Sequence, residues 1–111
     1  MFKIVVFVPE SYLAVVKSAL FDAGAGSFGE YDSCSWQTRG DGQFRPLPGS
    51  DPFIGEYGVV EHVEEWRLEV VCSDHRIEAA LDALVASHPY EVPAYEAYPI
   101  YQRDTLPKNN P

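Results

Sequence analysis

GAGSFGEYDSCSWQTRGDGQFRPLPGSDPFIGEYG, residues 24–58, is the stretch on which the fold turns. All eight of the chain's glycines fall in it, with Pro46, Pro48, Pro52 and a scatter of aromatic residues. Glycine and proline at this density break a helix repeatedly. A structureless connection of such length is uncommon inside a compact domain. The composition therefore predicts an ordered arm of tight turns and short strands. Within it, Tyr31 to Arg39 carries strand-forming side chains, with Cys34 and Trp36 on one face at period-two spacing. Gly40-Asp41-Gly42 predicts a tight turn, after which Gln43-Phe44-Arg45 runs back alongside, making the arm an extended β-hairpin. Gly49-Ser50-Asp51-Pro52 predicts a further turn, and Phe53-Ile54 an apolar anchor tucked against the body.

Outward from the arm, Phe2 to Val8 is a continuous β-branched and aromatic run closed by Pro9, the pattern of a strand buried on both faces or nearly so. A helix is predicted directly after it. Ser11 is its candidate cap, and Tyr12, Val15, Val16, Ala19, Leu20 and Ala23 form its apolar stripe. Gly24 suits the left-handed residue that closes a helix. Beyond the arm, Val59 to Cys72 is the longest strand candidate. From Glu64 it alternates: Glu64, Trp66, Leu68 and Val70 face one way, and Glu65, Arg67, Glu69 and Val71 the other. One face packs; the other is solvated or paired with another subunit. Ser73 or Asp74 caps a second helix, striped by Ile77, Ala80, Leu81, Leu84 and Val85 and stopped by His88-Pro89. Tyr95 to Tyr101 is a final short strand.

The order is β-α-β-β-α-β, an α+β fold of the ferredoxin-like sandwich type, with right-handed crossovers and both helices on one face. Residues 1–101 read as one domain, with the arm at 24–58, and residues 102–111 as a polar tail that frays. The sheet face without helices calls for cover, which self-association as a cyclic trimer or dimer would provide.

The chain's 111 residues, 46% hydrophobic and 14% aromatic, suffice for a real core. Seventeen acidic residues against eight basic ones give a formal charge of -9, which disfavours nucleic acid and anionic membranes as partners and favours cations. The apolar start, MFKIVVFVPE, is too short for a signal peptide and ends without a small-residue cleavage site. The expected location is the cytoplasm, with Cys34 and Cys72 as reduced thiols.

Chemistry-bearing residues are few. His88 sits at a helix C-terminus, where the dipole favours a protonated imidazole. It reads either as a helix stop bonding the last carbonyls, with Tyr90 packing and Glu91 accepting backbone amides, or, with Glu91, as a ligand contact in a subunit cleft. His62 and Glu64, two apart on one strand, share a face and can hold a borderline divalent ion if a third ligand arrives, or form an exposed acidic strand end. His75 is expected to be exposed. Cys34, the one thiol in the arm, reads either as a group that binds metal or responds to oxidation beside a His or Glu, or, like Cys72, as a small core residue. Gly24 to Gly29 spells GxGxxG but follows a helix, so the dinucleotide reading fails its context. No serine or cysteine has a histidine and acid at a recognisable spacing.

The run Gly24-Ala25-Gly26 through Gly29, then Tyr31, Cys34-Ser35, Gly40, Gly42 to Pro46, Pro52 to Gly55, Glu64 to Glu69 and His88 to Glu91, resembles the inserted or stand-alone domain associated with Nif-three-like proteins. His88 to Pro93 is also similar to a segment of the CutA divalent-cation tolerance proteins. Trp36 stands where that pattern leads one to expect phenylalanine. The resemblance implies a PII/CutA-like fold, usually trimeric, without the metal centre that full-length Nif-three-like proteins carry in another domain. With it, the expected function is a non-enzymatic, oligomeric binding or regulatory module. Such a module binds a divalent metal ion (zinc, copper, nickel or cobalt) or a small ligand in a subunit cleft between the arm and the His88 to Glu91 turn. His62, Glu64, His88 and Glu91 are the candidate metal contacts. The alternative is a scaffold that docks another protein without a small ligand.

Overall fold

The computed structural model describes residues 1–108. Strand β1 (Phe2–Pro9) leads directly into helix α1 (Glu10–Asp22). Strand β2 (Trp36–Phe44) and strand β3 (Glu61–Cys72) follow, then helix α2 (Ile77–Ser87) and strand β4 (Tyr95–Pro99). The sheet order is β2-β3-β1-β4, with every neighbouring pair antiparallel. This is the expected α+β arrangement, with the two helices packed on one face. Arg103–Thr105 forms a short 3-10 turn closed by the Gln102 amide on Thr105 Oγ1 at 2.8 Å, where a fraying tail was expected; residues 109–111 lie outside the described residues.

The core is one cluster. Ile4, Val6 and Val8 of β1 and Leu68, Val70 and Cys72 of β3 meet Val16 and Leu20 of α1 and Ala80 and Leu84 of α2, all buried. The β3 alternation holds over this half of the strand. The predicted stripes err at one edge each: Val15 and Val85 are exposed, and Leu13 and Phe21 take core positions in α1. Neither helix uses the predicted cap. Pro9 and Arg76 occupy the N-cap positions without a side-chain bond. Proline fits the start of α1 because its missing N–H costs nothing there.

Gly24 does close α1, at φ +102, its amide bonded to Phe21 O at 3.0 Å. Gly26, at φ +85, then donates to Val71 O at 2.7 Å, and accepts from the Cys34 amide at 2.8 Å. These bonds clip the start of the arm to the end of β3. Cys34 precedes β2 instead of lying on it; its thiol sits 3.6 Å from Asp32 O.

One expectation fails outright. Gly40-Asp41-Gly42 is not a turn: β2 runs straight through it, with Gly40 opposite Glu65 and Gly42 opposite Val63. The hairpin that projects is β2–β3. β3 pairs with β1 only from Glu65 to Cys72, so its Glu61–Glu64 end and the facing half of β2 extend past the body. The radius of gyration, 16.1 Å, exceeds the about 13 Å expected of a compact chain this long.

The face opposite the helices carries Lys3, Val5 and Phe7 of β1, Glu65, Arg67 and Glu69 of β3, and Trp36 and Thr38 of β2. Trp36 is 59% exposed there. Arg67 shields Phe7, its guanidinium carbon 5.8 Å from the ring centre, and is held by Glu69 at 3.1 Å. Among the described residues, no helix is long and apolar enough to cross a membrane.

Candidate functional site

The His88–Glu91 turn meets the arm just beyond the point where β1 stops at Pro9. Its centre is an aromatic group. Phe53 packs edge-on against Tyr90 at 6.2 Å and Tyr12 at 5.8 Å, and Tyr90 lies 6.3 Å from Phe44 and 4.8 Å from His88. Phe53 is thus the predicted anchor of the returning arm. Glu91 Oε1 accepts the Asp51 amide at 3.0 Å, a charge-assisted bond that ties the turn to the arm. Between these parts opens a cleft of about 420 Å³, walled by Phe44, Pro46, Phe53, Tyr90 and Glu91, with Glu65 at its side.

His88 is a positioning group in this turn. It is buried, and Nδ1 accepts the Tyr90 amide at 3.2 Å, so Nε2 carries the hydrogen and donates to Phe7 O at 2.7 Å. It therefore bonds the end of β1, not the last carbonyls of α2. Burial pushes its pKa below the usual histidine value, outweighing the Phe7 bond and the charge of Glu65, which raise it. Desolvation overrides the helix dipole that would favour the imidazolium. Metal ligation through either nitrogen would break one of these bonds.

His62 and Glu64 share an exposed face of β3, as their spacing requires. Glu64 lies 3.9 Å from Arg39, whose Nη2 donates to Glu10 at 2.7 Å. The structure does not assemble His62, Glu64, His88 and Glu91 into one group within a chain: only Glu91 of the four lines the cleft. Among the described residues, no three His, Cys, Asp or Glu side chains are grouped to hold a metal. His75 is exposed as expected, and Cys72 is a buried thiol whose pKa burial raises.

Glu65 and the Tyr90 hydroxyl are the polar groups of the cleft that the sequence did not single out. Glu65 crosses the backbone of β2: a Cβ on Gly42 would collide with its Oε1. Gly42 marks a close approach of this kind, whereas a Cβ on Gly40 would meet open space. The Tyr90 oxygen is buried with only the Glu65 carboxylate beside it as a partner, and burial first, then the charge of Glu65 and the hydrogen bond toward it, push its pKa up to about 12.

No family model matches the chain. Over 100 residues it is 47% identical to the GTP cyclohydrolase 1 type 2 homolog of Bacillus subtilis, a match spanning 90% of this chain and 27% of that one. It superposes on a Bacillus cereus protein related to NIF3 with a TM-score of 0.78 and 39% identity, covering 91% of this chain and 26% of the other. The chain is thus similar in sequence to one domain of the Nif-three-like proteins, and its fold is CutA-like. It spans about a quarter of the length of the relatives it matches. The fold alone extends further, to the PII-like protein CutA of Nostoc, with a TM-score of 0.67 at 15% identity over 96% of this chain and 86% of that one. In this CutA-like domain the departure at Trp36 falls on the uncovered sheet face, not in the core.

Proposed function

We propose that this CutA-like domain is a non-enzymatic, self-associating module whose cleft between the arm and the His88–Glu91 turn binds a small ligand. The cleft carries the reading: it is large enough for a small organic molecule, mostly apolar, and fixed on both sides by the Phe53 contacts and the Glu91 bond. Trimeric association through the uncovered face would shelter Trp36 and Phe7. The module would work in the cytoplasm, where its free thiols Cys34 and Cys72 stay reduced.

The second reading is a divalent ion, zinc, copper, nickel or cobalt, at His62 and Glu64. Their shared exposed face supports it, with a third ligand supplied by another copy. The alternative without a ligand is docking of another protein on the arm.

Sedimentation and a thermal-shift screen of small aromatic compounds and the four metals test these readings together. A stable oligomer, stabilised by an aromatic compound in the parent but not in Phe53→Ala, supports the cleft. Metal stabilisation lost in His62→Ala supports the second reading. A monomer with no ligand response at all overturns both and leaves the docking reading.

A further inference from the structure

Glu65 occupies an unusual position. Its carboxylate lies over Gly42, on the boundary of the main cleft and of a second, smaller hollow on the uncovered face beside Phe7 and Gly40. The side chain is half-buried, yet among the described residues no Lys, Arg or His nitrogen reaches it within salt-bridge distance. Arg67, the nearest candidate on its own strand, is engaged by Glu69 instead. Next to Glu65 stands the buried Tyr90 hydroxyl, which has no hydrogen-bond partner other than that carboxylate. The Tyr90 hydroxyl can give its one hydrogen to a Glu65 oxygen, but no cation offsets the half-buried carboxylate, which is costly unless a donor of opposite charge satisfies it. Around them the walls are aromatic: Phe44, Phe53 and Tyr90. Ring faces attract a cation and do nothing for an anion. Of the charged lining, Arg45 and Glu91 are both exposed and Glu91 already accepts the Asp51 amide, which leaves Glu65 as the half-buried charge of the cleft.

We propose that the cleft selects a small organic cation, an ammonium on an aromatic or aliphatic body, its nitrogen at Glu65 and the Tyr90 oxygen and its body against Phe44 and Phe53. This rests on the cleft being a ligand site. An ammonium brings a positive charge and three donors, so it pairs the carboxylate and reaches the Tyr90 oxygen as well; a neutral alcohol of the same shape offers one donor and no charge. Gly42 is part of the device, because any side chain there would move the carboxylate off its position.

Calorimetry with 2-phenylethylammonium and its neutral counterpart 2-phenylethanol, on the parent, Glu65→Gln and Gly42→Ala, tests the proposal. The expected result is at least about tenfold tighter binding of the ammonium by the parent, the worth of one charge-assisted bond. Glu65→Gln should bring the two ligands to equal affinity, and Gly42→Ala should weaken the ammonium selectively. Equal affinities in the parent, or a preference that survives Glu65→Gln, would overturn the cation assignment while the cleft still stood. Binding of neither compound would remove the cleft reading and this inference with it. Far-ultraviolet circular dichroism of each variant separates lost binding from lost folding.

Discussion

Toward Cys72, β3 is paired with β1 and roofed by both helices, and Leu68, Val70 and Cys72 are buried. Toward Glu61, the same strand is paired only with β2, and His62 and Glu64 are exposed. Alternation continues unbroken between the two halves, and the hydrogen-bond ladder to β2 joins them. What changes is the layer above. Hydrophobic burial stabilises the first half, while the second is held by its ladder and by the aromatic contacts of Phe53 with Tyr90 and Tyr12. The arm depends on the body, and the body has its own core without it.

The sharpest way to break this contrast is to truncate one side chain in each half. Leu68→Ala should cost about 2–5 kcal/mol in a urea unfolding curve, by lost transfer and cavity terms. Val63→Ala, half-buried in the projecting end, should stay within about 1 kcal/mol. Equal losses would mean the projecting end carries as much buried surface as the core.

His88 sits on the seam between the halves and gives the next largest effect. His88→Ala leaves Phe7 O and the Tyr90 amide without their partner, a loss of about 1–3 kcal/mol near neutral pH. Because the folded pKa lies below the ordinary value of 6.5, the neutral ring's contribution is full above that value. It fades as pH falls through the depressed folded value. The parent should therefore lose stability on acidification more steeply than His88→Ala, as followed by thermal melts from neutral to mildly acidic pH. Parallel curves would count against a neutral, doubly bonded imidazole.

The smallest effect belongs to the surface. Arg39 joins Glu10 of α1 to β2 and lies 5.0 Å from the Trp66 ring. Both partners of the ion pair are exposed, so Arg39→Ala should change stability by no more than about 1 kcal/mol, less at high salt. A larger loss would show that the bond between α1 and β2 is a main support of the arm.

Much of the body was legible because its signals are local. The Phe2 to Val8 run, the β3 alternation from Glu64 and the Gly24 stop each follow from spacing or from one residue's backbone freedom. Gly40-Asp41-Gly42 misled because the turn signal is also local, whereas the cause of Gly42 is not: Glu65 comes from another strand and needs the space. The caps failed for a similar reason, since Pro9 and the turn before Arg76 already set the entry angles. At the site, the meeting of arm and turn and the role of Glu91 as an amide acceptor could be read. The state of His88 could not, because its burial depends on Phe7 and Tyr90 arriving from two directions.

The first and last strands are immediate neighbours, with Phe2 opposite Pro99 and the Ile100 amide bonded to Met1 O at 2.9 Å. Facing residues of antiparallel strands stand only about 5 Å apart. Entry and exit therefore share one doorway. A unit built this way can be spliced into a surface loop of a larger host without prising the loop open, and it would hang there as a pendant, its projecting ribbon free to reach neighbours that the host itself does not touch.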